Sequence, residues 1–331
     1  MSTQVVNLIK RVIEPKPSQY NILTFPTHER FETDLCKTGH NFYGFHAEGL
    51  KTWDTAYAEI PENYYLLPEG AIFQGISFDF ILASSKFGQF QIASQINQRL
   101  GIPIVSMEVT VPIPNWTDAH LNSLRSMTGD INVFLTEHSQ ERWNIDKDSI
   151  VVPHTIDANL FKPNDHINQE PHVLSVVNDF INRDYCCNYS GWQRVTKGLN
   201  IKLLGKTEGL SEPAPSTEAL VEEYNACQVF FNSSTLSPIP TVLLEAMACG
   251  CAVVTTASCE IPKIIKHGHN GLMSNDEDEL RSHIEELLQD EDLRRSLGAQ
   301  ARQTILDKFS EQQFVDNWNS VFDSAYSMGT K

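Results

Sequence analysis

Residues 237–256 read SPIPTVLLEAMACGCAVVTT. Pro238 and Pro240 cannot lie inside a helix, but they can precede or open one. The run after Pro240 carries helix formers and stops at Gly250, and CAVVTT (251–256) has the β-branched pattern of a buried strand. A short helix handed straight to an apolar strand is a building block of a parallel sheet covered by helices. One acid, Glu245, stands inside the apolar run. Burying an unpaired carboxylate is costly, so Glu245 must reach a partner or line a cleft. The helix starts near Thr241, with its N-terminus on the strand-end side. Its free N–H groups and about half a unit of positive charge suit a phosphate there. One turn in, Glu245 is placed to accept hydrogen bonds from ligand hydroxyls such as a ribose diol, or else to cap or pair locally.

The same alternation runs outward in both directions. Before the stretch, HVLSVV (172–177), NIKLLG (200–205) and VFFNSS (229–234) read as strands, with GWQRVTKG (191–198) and STEALVEEYNACQ (216–228) as helices, the latter capped by Ser216 or Thr217. Two strongly helical segments follow, 276–309 and 310–326. Further upstream, YNILTF, FDFILAS, IPIVSMEVT, INVFLTE and SIVVPHTI are strands separated by helical stretches. FKPNDHINQEP (161–171) is polar and carries two prolines, which marks a linker. The expectation is two doubly wound parallel α/β domains. The first covers 1–160. After the 161–171 linker the second covers 172–309, and 310–331 forms a C-terminal helix crossing back to the first. In such folds ligands bind at the carboxyl ends of the strands, in a two-domain chain within the cleft between the domains.

Composition bounds the partners. The chain has 331 residues, 41% of them hydrophobic, and a net charge of −17. The acid excess is shared, with 19 Asp and Glu against 12 Lys and Arg in residues 1–165 and 23 against 13 in the rest. Neither half is a basic surface, which argues against nucleic acid and against docking on anionic lipid. No apolar run is long enough for a membrane span. The N-terminus, MSTQVVNLIKRVIEPKP, reads as a short amphipathic helix stopped by prolines and not as a secretory leader. Seven cysteines, an odd number with no Cys-x-x-Cys, suit reduced thiols in the cytoplasm. Cys249 and Cys251 sit where a helix meets a strand and read as small buried hydrophobes, so no metal site is expected.

Two nucleotide signatures fail. No Gly-x-Gly-x-x-Gly follows a strand. Gly205-Lys206-Thr207 invites a P-loop reading, but the required first glycine is Asn200 and the intervening residues form a strand. What survives is a loop of Gly205, Lys206 and Thr207 leaving a strand's carboxyl end, on the side of the expected cleft.

The segment PTVLLEAMACGCAVVTTASCEIPKIIKHGHNGLMSNDEDEL (240–280) resembles the carboxyl-domain signature of the family-four retaining glycosyltransferases, most specifically from Leu244 to Val254 and at Asn270–Gly271. SIVVPHTIDANLFKP (149–163) resembles that family's entry into the domain linker, and KTGHNFY (37–43) its Gly-His after the first helix. The resemblance implies a GT-B fold, two facing Rossmann-like domains around a deep cleft. It also implies sugar transfer from a nucleotide diphosphate sugar, such as a UDP- or GDP-sugar, with retained anomeric configuration. No metal and no cofactor beyond that co-substrate are required. The acceptor would be a glycan, lipid or small molecule.

By the same resemblance Glu245 matches the glutamate that binds the donor ribose, and Pro240 and Thr241 open the phosphate-facing helix. In NDFINRDYCC (178–187), Arg183 falls near the family's diphosphate-binding lysine, while Asp179 stands where its arginine would be; Lys206 and Lys197 are further cations. Departures are as informative. Ser237 replaces the family's first glutamate, and Cys259 and Glu260 replace a glycine pair. FPTHERFETDL (25–35) replaces a glycine-rich loop and brings His28 to a strand end. Glu108 ends IPIVSME, where many relatives carry a histidine facing the acceptor. His28, Glu108 and Ser237 are therefore the candidate catalytic residues. The alternatives are a GT-B-like nucleotide-sugar epimerase or phosphorylase, and a non-catalytic sugar-nucleotide or glycan-binding protein.

Overall fold

The computed structural model describes residues 17–55, 57–69, 75–84, 86, 88–164 and 170–329. The N-terminal amphipathic helix that the sequence predicts falls outside these residues, as does the middle of the 161–171 linker. The chain divides into two compact units, Met1–Pro153 with Gln312–Lys331, and His154–Glu311. The division comes earlier than a linker at 161 would put it. Ile156 and Phe161 are buried among Leu243, Leu244 and Phe309 of the second unit, and the Thr155 hydroxyl and Ile156 amide both donate to Phe309 O.

The first unit is built on β1 (Asn21–Thr24), β2 (Asn41–Gly44), β3 (Tyr64–Leu66), β4 (Phe80–Ala83), β5 (Ile104–Glu108), β6 (Ile131–Phe134) and β7 (Ser149–Val151). They form a seven-stranded sheet in the order β3-β2-β1-β4-β5-β6-β7, and all pairs are parallel. Helices α1 (Glu29–Cys36), α2 (Gln89–Leu100), α3 (Asp118–Arg125) and α4 (Glu137–Trp143) supply crossovers. β2 and β3 are not among the strands that the sequence pattern predicts. They are short, and their tyrosines and glycine give no clear alternation; pairing against β1 and against each other makes them strands.

The second unit carries β8 (Glu170–Val176), β9 (Ile201–Leu204), β10 (Cys227–Asn232), β11 (Ala252–Thr255) and β12 (Leu272–Met273), a parallel sheet in the order β12-β11-β10-β8-β9. Its helices are α5 (Asp184–Cys187), α6 (Tyr189–Thr196), α7 (Thr217–Ala226), α8 (Thr241–Ala248), α9 (Ile261–Ile264), α10 (Glu277–Gln289) and α11 (Glu291–Lys308). Ser216, not Thr217, caps α7 by accepting from the Ala219 amide. In α8, Leu243, Leu244, Ala246 and Met247 are completely buried. Each large apolar side chain so removed from water contributes roughly 1.5–3 kcal/mol, which is why this eight-residue helix persists without strong caps. The last helix, α12 (Glu311–Met328), buries Phe314, Trp318 and Phe322 against Phe31, Phe42 and Phe80 of the first unit.

Both units are thus Rossmann-like parallel sheets with covering helices, the GT-B type of architecture. Among the described residues no helix is long and apolar enough to cross a membrane.

Candidate functional site

In the second sheet the strand order reverses between β8 and β10. Open α/β sheets bind ligands beyond the carboxyl ends of the strands at such a reversal. The flanking loops are 177–183 after β8 and 233–240 after β10. The first brings Arg183, the N-cap of α5. The second brings half-buried Ser237 and then Pro240, the N-cap of α8, where no side chain caps the first turn. The cation and the helix N-terminus therefore stand on either side of the reversal. The loops are tied together across it. Thr235 and Leu236 amides donate to Cys186 O at 2.9 and 3.1 Å, and the Ser233 hydroxyl donates to Cys187 O at 2.8 Å.

Gly205 and Lys206 follow β9, next to β8. Gly205 has φ 111°, and a Cβ there would come within 2.2 Å of Val177 O, so this crossing of two loops admits only glycine. The Lys206 amide donates to Asn178 Oδ1 at 2.8 Å. The Asp179 amide donates back to Lys206 O at 2.8 Å, and the Thr207 hydroxyl accepts the Phe180 amide at 3.0 Å. The loop is thereby fixed while the Lys206 side chain stays exposed. Asn178 orders this loop beside Thr207; a polar side chain just past a strand end is too common a signal to single Asn178 out.

Glu245 answers the question its burial raised. It is 2% exposed and accepts a hydrogen bond from the Tyr224 hydroxyl of α7 at 2.9 Å. Lys197 lies elsewhere. It caps the carboxyl end of α6, where the chain turns into the amino end of β9, the opposite edge of the sheet from Arg183 and Lys206. It is expected as a further cation for the diphosphate, but the crossover carries it away from the strand ends. Cys249 and Cys251 are buried, and the Cys251 thiol donates to Tyr224 O at 3.1 Å.

The first unit has its own reversal, between β1 and β4. His28, the N-cap of α1, follows β1. Gln89, at the start of α2, links the two loops: its Nε2 donates to Thr27 Oγ1 at 2.6 Å and its Oε1 accepts the Ser84 amide at 2.9 Å. The His28 side chain makes no cap bond. Glu32 does that work instead, with Oε1 accepting from both the Thr27 and His28 amides. Desolvation of the imidazole, then the charges of Arg30 and Lys51, hold His28 below its ordinary value, so it is neutral near pH 7. Burial pushes the Glu32 carboxyl up to about 7.

Glu108 ends β5 and is 2% exposed. Its Oε1 takes the Thr110 amide at 2.9 Å and the Thr110 hydroxyl at 2.7 Å. Its buried Oε2 has no hydrogen-bond partner among the described residues. Burial raises this carboxyl above the usual range, against the opposing pull of Thr110 and of Lys86. Lys86, itself buried, donates to Met127 O at 2.5 Å and lies 5.5 Å from the centre of the Trp143 ring. No neighbouring residue in the chain marks this lysine as internal.

Residues 213–304 match the family model of the glycosyl transferases group 1. Over 83 residues the chain is 34% identical to N-acetyl-alpha-D-glucosaminyl L-malate synthase of Bacillus anthracis, a stretch covering 24% of this chain and 22% of that relative. The chain thus spans about a fifth of that relative's length. Among solved structures it is similar to sucrose-phosphate synthase of Thermosynechococcus elongatus, with TM-score 0.73, 14% identity and coverage of 94% of this chain and 100% of the other. It is also similar to Anabaena HepE in complex with UDP and glucose, with TM-score 0.69, 15% identity and coverage of 92% and 100%.

Proposed function

We propose that this chain, whose second unit carries the group 1 glycosyltransferase signature, transfers a sugar from a nucleotide diphosphate sugar to a hydroxyl acceptor. One coincidence carries the reading. The matched residues 213–304 include α8, whose N-terminus stands at the strand reversal where Arg183 also stands. A departing nucleotide diphosphate develops negative charge, and preset cations and helix N–H groups stabilise it without reorganising. The diphosphate is assigned to Arg183, Lys206 and the Thr241 end of α8, with Gly205 allowing the close loop approach. Glu245, held by Tyr224, is assigned to the ribose, and Ser237 to a donor-sugar hydroxyl. A UDP-sugar is the first donor to test, because HepE binds UDP and glucose.

On the acceptor side we assign Glu108 and His28. Glu108 has an unpartnered buried oxygen and a raised carboxyl, the attributes of a group that takes a hydroxyl proton near neutral pH. Fixed cations at the diphosphate support metal-independent transfer. Retention follows from the family resemblance, with the acceptor attacking the face the leaving phosphate departs from. Seven free cysteines support a reducing, cytoplasmic setting.

The test is a thermal-shift screen of UDP, GDP and their sugars, since a ligand bound only by the native state raises the melting temperature, followed by nucleotide release with candidate acceptors. Binding with release of nucleotide diphosphate and an α-to-α product by proton NMR is expected. Absence of any nucleotide binding overturns the proposal. Binding without release from any donor would favour a non-catalytic sugar-nucleotide receptor, the reading that Ser237 in place of an acid supports.

A further inference from the structure

Cys186 and Cys187 are neighbours in α5, and their Sγ atoms lie 3.7 Å apart. The contact with Cys187 and then the Arg183 guanidinium pull the Cys186 thiol down to about 6, while the same contact raises Cys187; Cys186 Sγ also lies 3.4 Å from Arg183 O. Of the two, Cys186 is the thiol that ionises more readily to the nucleophilic form; Cys186 is 6% and Cys187 4% exposed. Cys36, Cys249 and Cys251 are shifted the other way. Burial pushes Cys36 up to about 12 and raises Cys249 as well. Cys227 and Cys251 both donate to Tyr224 O, and Cys251 is raised by its bond to Cys227 and by burial.

The backbone of this cysteine pair is also the tie across the strand reversal. Cys186 O receives the Thr235 and Leu236 amides, and Cys187 O receives the Ser233 hydroxyl. We propose that Cys186 and Cys187 are a peroxide-reactive dithiol whose closure to a disulfide unties the loops on either side of that reversal. Its consequence for nucleotide binding rests on the donor site proposed above.

The chemistry balances. The Cys186 thiolate attacks one oxygen of hydrogen peroxide, the O–O bond breaks, and with one proton taken up a water leaves and Cys186 becomes the sulfenic acid. Cys187 Sγ then attacks Cys186 Sγ, the S–O bond breaks, and a second water leaves. Two thiols and one peroxide give one disulfide and two waters. Adjacent Cα atoms are about 3.8 Å apart, short of the roughly 4.4–6.8 Å that a disulfide prefers. Closure must therefore bend α5, and with it the carbonyls that hold residues 233–236. A bond formed under such constraint is readily reduced again.

The experiment treats the full chain with equimolar hydrogen peroxide, alkylates it, and maps peptides without reduction. The peptide containing 184–188 is expected to lose two hydrogens and to regain them with dithiothreitol. Cys187→Ser is expected to stop at a sulfenic acid trapped by dimedone on Cys186, and Cys186→Ser to react at neither position. On the oxidised protein the Thr235 and Leu236 amides are expected to exchange with deuterium roughly tenfold faster, and UDP affinity to fall by a similar factor. Oxidation mapped to Cys227–Cys251, or no loss of hydrogens at 184–188, overturns the dithiol. A bridge with unchanged exchange at 235–236 overturns the untying. Failure of the reduced protein to bind UDP would defeat the donor reading alone, because the mass and exchange readouts need no nucleotide.

Discussion

The carboxyl ends of the two sheets are built from opposite materials. In the first unit, two carboxylates, Glu32 and Glu108, are buried there at 3% and 2% exposure with raised proton affinity. In the second, the strand ends present Arg183, Lys206 and the start of α8, and the buried acid Glu245 lies one turn within, bonded to Tyr224. One edge suits a group that gains negative charge as it leaves; the other suits a group that must give up a proton. The same architecture carries different charged groups at and just beyond its strand ends.

That contrast can be broken most forcefully at Glu108. Glu108→Gln should lower the transfer rate by about 100-fold or more and leave donor affinity unchanged. In the parent, the rate should rise with pH as Glu108 loses its proton, along a limb displaced upward from the usual carboxylate range; Gln at this position should abolish that limb. An unaltered pH profile would remove Glu108 from the chemistry. Arg183→Ala tests the other edge: donor affinity should fall roughly 10- to 100-fold, the equivalent of one lost hydrogen bond to a charged group, read by titration calorimetry with UDP.

Glu32→Gln sharpens the comparison through stability. Its folded carboxyl sits at about 7 against 4.5 when unfolded, so the native state binds the extra proton. Stability should therefore decline as pH rises from about 4.5 through 7, by at most roughly 3 kcal/mol. Gln keeps the acceptor for the Thr27 and His28 amides and cannot ionise. It should raise the melting temperature by several degrees at pH 8 and change little at pH 4.5, as measured by calorimetry at both. The smallest effect is expected from Lys197→Ala, at the amino edge of the second sheet, where UDP affinity should stay within twofold of the parent, within the scatter of a surface change.

The second unit was the more legible. SPIPTVLLEAMACGCAVVTT encodes its own helix opening, helix end and strand, all within twenty neighbouring residues, and α8 and β11 occupy those positions in the structure. Periodicity and caps are local, and local signals survive in sequence. The first unit's β2 and β3 were not legible, because strands of four and three residues are defined by their neighbours and not by their own pattern. Lys86 shows the same limit: nothing adjacent in the chain marks it as buried, and its surroundings are Met127 and Trp143, more than forty residues on.

The sequence by itself determined the alternation of strands and helices, and hence two parallel-sheet units, because the hydrophobic period and the turn residues act over a few neighbours. It also determined that Glu245 had to be satisfied, since the cost of an unpaired buried acid does not depend on topology. Only the tertiary structure decided how. Tyr224 reaches Glu245 from a helix 21 positions earlier in the chain. Strand order sets Arg183 and the α8 N-terminus after neighbouring strands and sends Lys197 to the far edge. Which strands lie next to one another depends on crossovers between distant segments, and no local pattern carries that information.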